Sequence, residues 1–256
     1  MKTLHDCQLY TFIDTAYLAQ RSMETVARQL CDGGSDLIQL RAKHASREEV
    51  RQWAERILPI TEQAGVGLVI NDHWPVALAI GAPFCHLGQE DFFDAGYSQV
   101  TQLFPADAKT QLGLSSHAPA QAERAVRAGA AYLGIGPVFA TPTKATAQPV
   151  TLEYVRWAAQ HLTVPWFAIG GITLTNLEQV LSAGARRICV VSAILNSSNI
   201  VKTCQEFNDR LKQVRIHQTQ PAATPATRTA QAAVSLANLQ TGQSSLAGGS
   251  GKLRPH

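Results

Sequence analysis

The sequence of 256 residues contains no run of 18 or more apolar residues, so no membrane-spanning helix is expected. Its opening, Met1-Lys2-Thr3-Leu4-His5-Asp6, has no apolar stretch of the kind a secretory signal needs. The five cysteines, Cys7, Cys31, Cys85, Cys189 and Cys204, are an odd and scattered set without a Cys-x-x-Cys pair. That argues against a disulfide framework and against a thiolate metal site, and it reads as reduced core residues of a cytoplasmic protein. No Ser-His-Asp order and no Cys/His zinc spacing stand out. Acidic residues are missing beyond Asp209, where Arg228, Lys252 and Arg254 are the basic ones after His217. Without those three of the 22 basic residues, the remainder balances the 19 acidic ones. The net charge of +3 therefore belongs to the C-terminal segment, and no basic nucleic-acid surface is expected.

Aromatic residues are absent from that same segment. From Thr219 onward it is Ala, Thr, Gln, Ser and Gly with scattered prolines, and near its end it reads Gly248-Gly249-Ser250-Gly251. Such a composition buries too little apolar surface to offset the entropy of ordering the chain. The expected organisation is a catalytic domain over residues 1–216 and a low-complexity, disordered tail over 217–256.

What is present before the tail has a regular rhythm. Short apolar runs at Leu9–Asp14, Asp36–Arg41, Gly67–Asp72, Pro83–Gly88, Gln111–Ser116, Tyr132–Pro137, Trp166–Gly171 and Arg187–Ser192 read as strands. Helical patterns at Met23–Cys31, Arg47–Ala64, Pro119–Ala128, Thr151–His161 and Thr175–Ala183 alternate with them, and a last one begins near Ile200. Ser46 and Glu49 fit a capping box, and Gly33-Gly34, Gly65, Gly129 and Gly184 suit helix C-caps. Eight strands alternating with helices imply a parallel sheet covered by helices. An open doubly wound sheet is one solution. Eight repeats in this length, with polar residues at strand ends throughout, favour the other: a single α/β (β/α)₈ TIM barrel.

In such a barrel the C-terminal strand ends carry the chemistry. Strand two ends Gln39-Leu40-Arg41-Ala42-Lys43, and alternation turns Gln39, Arg41 and Lys43 to one side. Charges there need an anion or an ionic partner, so an anion site and an internal salt-bridge lattice fit equally. Asp72 and Asp91, from the ends of strands three and four, could share one Mg²⁺, although a helix cap and a loop contact account for them as simply. The run Thr141-Pro142-Thr143-Lys144 suits a phosphate, with an exposed loop as the plainer account. Gly170-Gly171 and Val191-Ser192 follow strands seven and eight, where barrels often hold phosphate, though a tight turn would also use the glycines. His86 reads as a core or supporting residue and His73 as a loop residue. His117, after Ser115-Ser116, is the histidine placed for acid–base work.

Taken in order, these pieces resemble the thiamine phosphate synthase family. The pieces are Gln39-Leu40-Arg41-Ala42-Lys43, Ile70-Asn71-Asp72, His86-Leu87-Gly88-Gln89-Glu90-Asp91, Gly113-Leu114-Ser115, Gly136-Pro137 through Thr141-Pro142-Thr143-Lys144, Ala168-Ile169-Gly170-Gly171-Ile172 and Val191-Ser192-Ala193-Ile194. The resemblance implies a Mg²⁺-dependent transferase. It would join 4-amino-2-methyl-5-hydroxymethylpyrimidine diphosphate to 4-methyl-5-hydroxyethylthiazole phosphate and release pyrophosphate. It implies that Gln39, Arg41, Lys43, Asn71, Ser115 and Lys144 contact the pyrimidine diphosphate, with Arg41, Lys144 and Ser115 at the reacting centre. Asp72 and Asp91 would bind the metal, and Thr141, Thr143, Gly171, Val191 and Ser192 the thiazole phosphate. The expected partners are small phosphorylated molecules, without nucleic acid or membrane, and a homo-oligomer is compatible with them. One departure is Pro149-Val150-Thr151, where the family usually returns to its next helix through a glycine.

Two alternatives remain open at this level. A thiazole tautomerase of the same barrel family would shift a proton with a histidine near His117, but has less reason to keep Gln39, Arg41 and Lys43 together with Thr141-Pro142-Thr143-Lys144. A non-catalytic phosphate-binding barrel has little need of paired carboxylates. The tail yields a direct test: truncation after Arg215 removes few large apolar groups, so thermal unfolding and activity should stay nearly unchanged. A large fall in melting temperature would show that the tail packs.

Overall fold

Strands that are apolar on both faces need helices outside and a filled interior within. In a computed structural model, β1 (Leu9–Asp14), β2 (Leu37–Arg41), β3 (Gly67–Asn71), β4 (Phe84–Leu87), β5 (Gln111–Ser116), β6 (Tyr132–Ile135), β7 (Trp166–Ile169) and β8 (Ile188–Cys189) meet both needs. They pair in parallel in chain order, and β8 returns to β1 to close the barrel. The structure describes residues 1–141, 143 and 148–219, the side chains of 214–219 excepted. The barrel lies within one unit, Met1–Arg215, and Ile216–His256 forms a second. The tail expected from residue 217 lies outside the described residues except for the helical backbone that reaches Thr219.

The outer helices are α1 (Met23–Asp32), α2 (Arg47–Gln63), α3 (Trp74–Ile80), α4 (Gln89–Phe93), α5 (Pro119–Arg127), α6 (Thr151–His161), α7 (Leu177–Ser182), α8 (Ser192–Leu195) and α9 (Ile200–Thr219). Helix α2 starts at the Ser46/Glu49 capping box and buries Val50, Ala54, Ile57 and Thr61, one stripe at helical spacing. Gly34, Gly65, Gly129 and Gly184 take the left-handed conformation expected after their helices, while Gly33 stays right-handed and ends α1. Helices α3, α4 and α8 lie outside the segments read as helical. At seven, five and four residues they are too short for a periodic stripe to declare itself. Strands β6, β7 and β8 end earlier than their apolar runs. After β8, Val191 turns at φ −115° and ψ −88° into α8. Thr151, at the departure from the family glycine, has φ 64°, a conformation that β-branched residues rarely adopt.

Aromatic rings fill the barrel and form the floor beneath its C-terminal mouth. Tyr132 packs edge-on against Tyr10, Phe84 and Phe167 at centroid separations of 6.2, 6.1 and 6.0 Å. Tyr10 meets Phe167 at 5.3 Å. Space for these rings comes from neighbouring strands: a Cβ on Gly113 would run into the Tyr132 ring, and one on Gly67 into the Phe84 ring and Leu37. Since Tyr132 is fully buried and ringed by other aromatics, it cannot swing aside. Gly113→Ala should therefore cost about 1–3 kcal/mol through overpacking. At roughly 2–4 °C per kcal/mol for a domain of this size, calorimetry should show a clear fall in Tm. An unchanged Tm would mean that the ring does not rest on Gly113.

Candidate active site

Because all eight strands run the same way, their C-terminal ends share one mouth. A cavity of about 280 Å³ opens there. Gln39, Arg41, Lys43, Asn71, Asp72, Asp91, Ser115, Thr141, Thr143, Gly171, Val191 and Ser192 all line it. Lys144 lies outside the described residues. Strand order distributes these groups: β2, β3 and β4 bring the cations, Asn71 and the carboxylates to one arc of the rim. The segments after β6, β7 and β8 bring the hydroxyls and glycines to the other, with Ser115 on β5 between.

On the first arc both cations of the strand end stand in ion pairs. Arg41 bonds Asp14 at 2.6 Å, and Lys43 bonds Asp72 at 2.6 Å. Asp14 is 1% exposed and also accepts from the Ala16 N–H, so it anchors one edge of the guanidinium. Asp14 was not among the residues picked from the sequence. It ends β1 directly across from Arg41 in the strand register, an opposite-charge neighbour that only pairing reveals. Asp72 follows β3 with φ 63°, and its N–H bonds the His86 carbonyl at 3.0 Å. Aspartate tolerates this left-handed turn better than most residues. Asp91 sits in the first turn of α4, where the helix favours negative charge. Its carboxylate leans back over Gly88 so closely that a Cβ there would strike it.

Among the described residues, no three or more His, Cys, Asp or Glu side chains gather into a cage for a metal. Asp72 and Asp91 fit the other mode of Mg²⁺ binding, in which one or two carboxylates are joined by phosphate oxygens and water.

On the second arc, the chain beyond β6 continues alongside the end of β7. Val138 N–H bonds the Ile169 carbonyl at 2.8 Å and Phe139 N–H the Gly170 carbonyl at 3.1 Å. This contact needs Gly170 and Gly171: a Cβ on the first would overlap Pro137, and one on the second would overlap Ala140 and Phe139. Thr143 is held by the Tyr17 hydroxyl at 2.9 Å, which ties this loop to the segment after β1.

Two histidines reach the cavity, one more than the sequence reading placed there. His117 donates from Nδ1 to the Gly136 carbonyl, an acceptor only, so this nitrogen carries a proton and Nε2 is the one left to face the cavity. His86, read from the sequence as a core or supporting residue, also lines the cavity, with Nε2 3.1 Å from Ser115 Oγ. Burial pushes its pKa down to about 4, so it is neutral at neutral pH. The missed signal was alternation along β4, which turns Phe84 and His86 inward together. Cys189 also lines the cavity, but burial holds its thiol well above the ordinary range and leaves it unreactive.

Comparison with known proteins agrees with this geometry. Residues 9–194 match the family model described as thiamine monophosphate synthase. A thiamine-phosphate synthase of Halalkalibacterium halodurans is 37% identical over 211 residues, which cover 82% of this chain and 98% of that protein. One from Thermus thermophilus is 42% identical over 184 residues, covering 70% of this chain and 84% of its own. Among solved structures, the thiamine phosphate pyrophosphorylase of Pyrococcus furiosus superposes with a TM-score of 0.72 at 26% identity, covering 82% of this chain and 98% of that one. Barrel, ordered strand-end motifs and relatives converge: the chain belongs to the thiamine monophosphate synthase family of transferases, and its activity is the formation of thiamine phosphate.

Proposed function

We propose that the barrel mouth joins 4-amino-2-methyl-5-hydroxymethylpyrimidine diphosphate to 4-methyl-5-hydroxyethylthiazole phosphate, with Mg²⁺ on the diphosphate and pyrophosphate as the leaving group. The observation that carries this reading is the division of one cavity into a cationic arc with paired carboxylates and an arc of hydroxyls and glycines. Each suits one phosphorylated substrate. Gln39, Arg41, Lys43, Asn71 and Lys144 hold the pyrimidine diphosphate. Thr141, Thr143, Gly171, Val191 and Ser192 hold the thiazole phosphate, at the loops where barrels commonly bind phosphate.

Breaking the methylene carbon–oxygen bond sends its electron pair onto pyrophosphate. Arg41 and Lys144 stabilise that charge, and Ser115 lies beside the departing oxygen. Asp72 and Asp91 would hold Mg²⁺, which neutralises diphosphate charge when bound. The ring amino group supplies electron density to the methylene cation, and the thiazole nitrogen attacks with its lone pair. That nitrogen carries no proton, so the step needs no general base. His117 then has no proton to move. Its ring is already engaged through Nδ1 with the Gly136 carbonyl and serves to shape the wall. The aromatic floor under the cavity keeps water from the cation, and holding both substrates in one mouth supplies much of the remaining rate. Catalysis in a cytoplasmic setting agrees with the free, mostly buried cysteines.

The metal role has a direct test. Asp72→Asn or Asp91→Asn should lower coupling by roughly 10²-fold or more, since a bound metal ion contributes several kcal/mol. A chelator should do the same to the parent protein, with recovery on added Mg²⁺. Full turnover in metal-free buffer contradicts the role.

A second test separates substitution from proton transfer. Lys144→Ala should lower kcat by roughly 10²–10³-fold, as loss of one group stabilising developing negative charge does elsewhere. His117→Gln should cost less than about 10-fold, well below the loss expected of a general acid or base. Both are measured at saturating substrates and Mg²⁺. Silence at Lys144 with loss of activity at His117 would favour the tautomerase.

A further inference from the structure

Asn176, half-buried just before α7, grips the turn after β7 with both ends of its carboxamide. Its Nδ2 donates to the Gly171 carbonyl at 2.8 Å, and its Oδ1 accepts from the Thr173 N–H at 2.8 Å. A carbonyl only accepts and a backbone N–H only donates, so these partners fix which way the amide is turned. The bond to Gly171 also fixes a peptide plane. The Gly171–Ile172 peptide is trans, so its C=O and its N–H point in opposite directions. With the carbonyl drawn to Asn176, the Ile172 N–H is turned the other way. Gly171 and Ile172 line the cavity, and Asn176 is not among its lining residues. Ile172 is 4% exposed, and its N–H meets no acceptor among the described residues. A buried N–H ordinarily has one. Gly171, at φ 63°, carries no side chain to limit rotation of this peptide. The bond from Asn176 is the one hydrogen bond that the peptide makes among the described residues.

We propose that Asn176 is a positioning residue for the thiazole phosphate: by holding the Gly171 carbonyl back from the cavity, it aims the Ile172 N–H at a phosphate oxygen. Asn176 itself touches no substrate. The chemistry turns on one plane. An N–H facing a phosphate makes a charge-assisted hydrogen bond, whereas a carbonyl oxygen in the same place repels the anion. Without the hold on Gly171, the peptide is free to present either edge. The pyrimidine diphosphate, on the opposite arc, does not meet this peptide. The inference rests on the reading of the second arc as the thiazole phosphate subsite.

Two variants and one spectrum test it. Asn176→Asp keeps the acceptor for the Thr173 N–H but sets an oxygen against the Gly171 carbonyl. Asn176→Ala removes the hold without adding charge. Both should raise the KM for thiazole phosphate by roughly 10-fold or more, the worth of a hydrogen bond to a charged group. The KM for the pyrimidine diphosphate and kcat at saturation should stay within about twofold, since the opposite arc loses no contact. The spectrum reads the N–H directly and needs only the parent protein. Labelling isoleucine with ¹⁵N and the glycine carbonyls with ¹³C singles out the amides of Ile135 and Ile172, which follow Gly134 and Gly171. Thiazole phosphate should move the Ile172 amide proton downfield and leave Ile135, within β6, as the control. In Asn176→Ala saturated with the ligand, that displacement should shrink. A loss confined to Asn176→Asp would trace the effect to the added charge and overturn the proposal. Equal weakening of both substrates would overturn it too and leave Asn176 as a structural brace, as would an unmoved Ile172 amide in a parent that binds the ligand. If the parent binds no thiazole phosphate, the reading of the arc fails and the positioning role falls with it.

Discussion

Everything at the mouth depends on the seam between β8 and β1. Only Leu9 with Ile188 and Tyr10 with Cys189 pair across it, extended by the Val190 N–H to the Tyr10 carbonyl at 2.9 Å. In an open sheet these two strands would be the far edges, and the groups after β1 and β6 would never meet. Closure brings Tyr17 to within 2.9 Å of Thr143 and sets the phosphate-suited turns after β7 and β8 across from Arg41 and Lys43. The seam can be this short because the interior is packed with rings rather than left hollow, so closure is stabilised by burial as well as by ladder hydrogen bonds.

The two ion pairs of the rim differ in kind. Asp14 is almost wholly buried, and the Arg41 side chain is 18% exposed, so leaving either alone would strand a charge away from water. That pair is a fixture that aims the guanidinium. Lys43 and Asp72 are 44% and 28% exposed, and solvent screens their attraction. Such a pair parts at little cost. In the proposed reaction a diphosphate would take Lys43 while a cation takes Asp72, each charge exchanging one partner for another. The rim thus carries a fixed cation and an adjustable one.

Much of this was legible from residue order. Gln39, Arg41 and Lys43 had to face one way because strand side chains alternate, and they do line one cavity. The capping box at Ser46 and the polar strand ends depend on neighbours a few residues apart, and they appear as read. What escaped depended on partners far along the chain. Asp14 looks like any acidic residue at a strand end until it is set beside Arg41, 27 positions later. His86 looks like a core residue until its ring is found on the cavity wall against Ser115. Tyr10 and Tyr132 were not singled out in the sequence, and the contacts of their hydroxyls with Gln39 and with the Cys85 carbonyl exist only in the closed barrel. Helices α3, α4 and α8 were hidden for a different reason, since a turn or two of helix carries no periodic stripe.

By itself, then, the sequence determined the alternation of buried strands and covering helices, the face on which the polar groups emerge and the family to which their order belongs. These follow from backbone periodicity and from short-range side-chain chemistry, which are properties of a segment. Tertiary structure alone decided which acid meets which base, where the Asp91 carboxylate lies over Gly88, and that the Gln39 amide meets the Tyr10 hydroxyl. Those outcomes depend on distances between strands and on the polarity of buried hydrogen bonds. Both come into being only when the barrel has closed and water has left its interior.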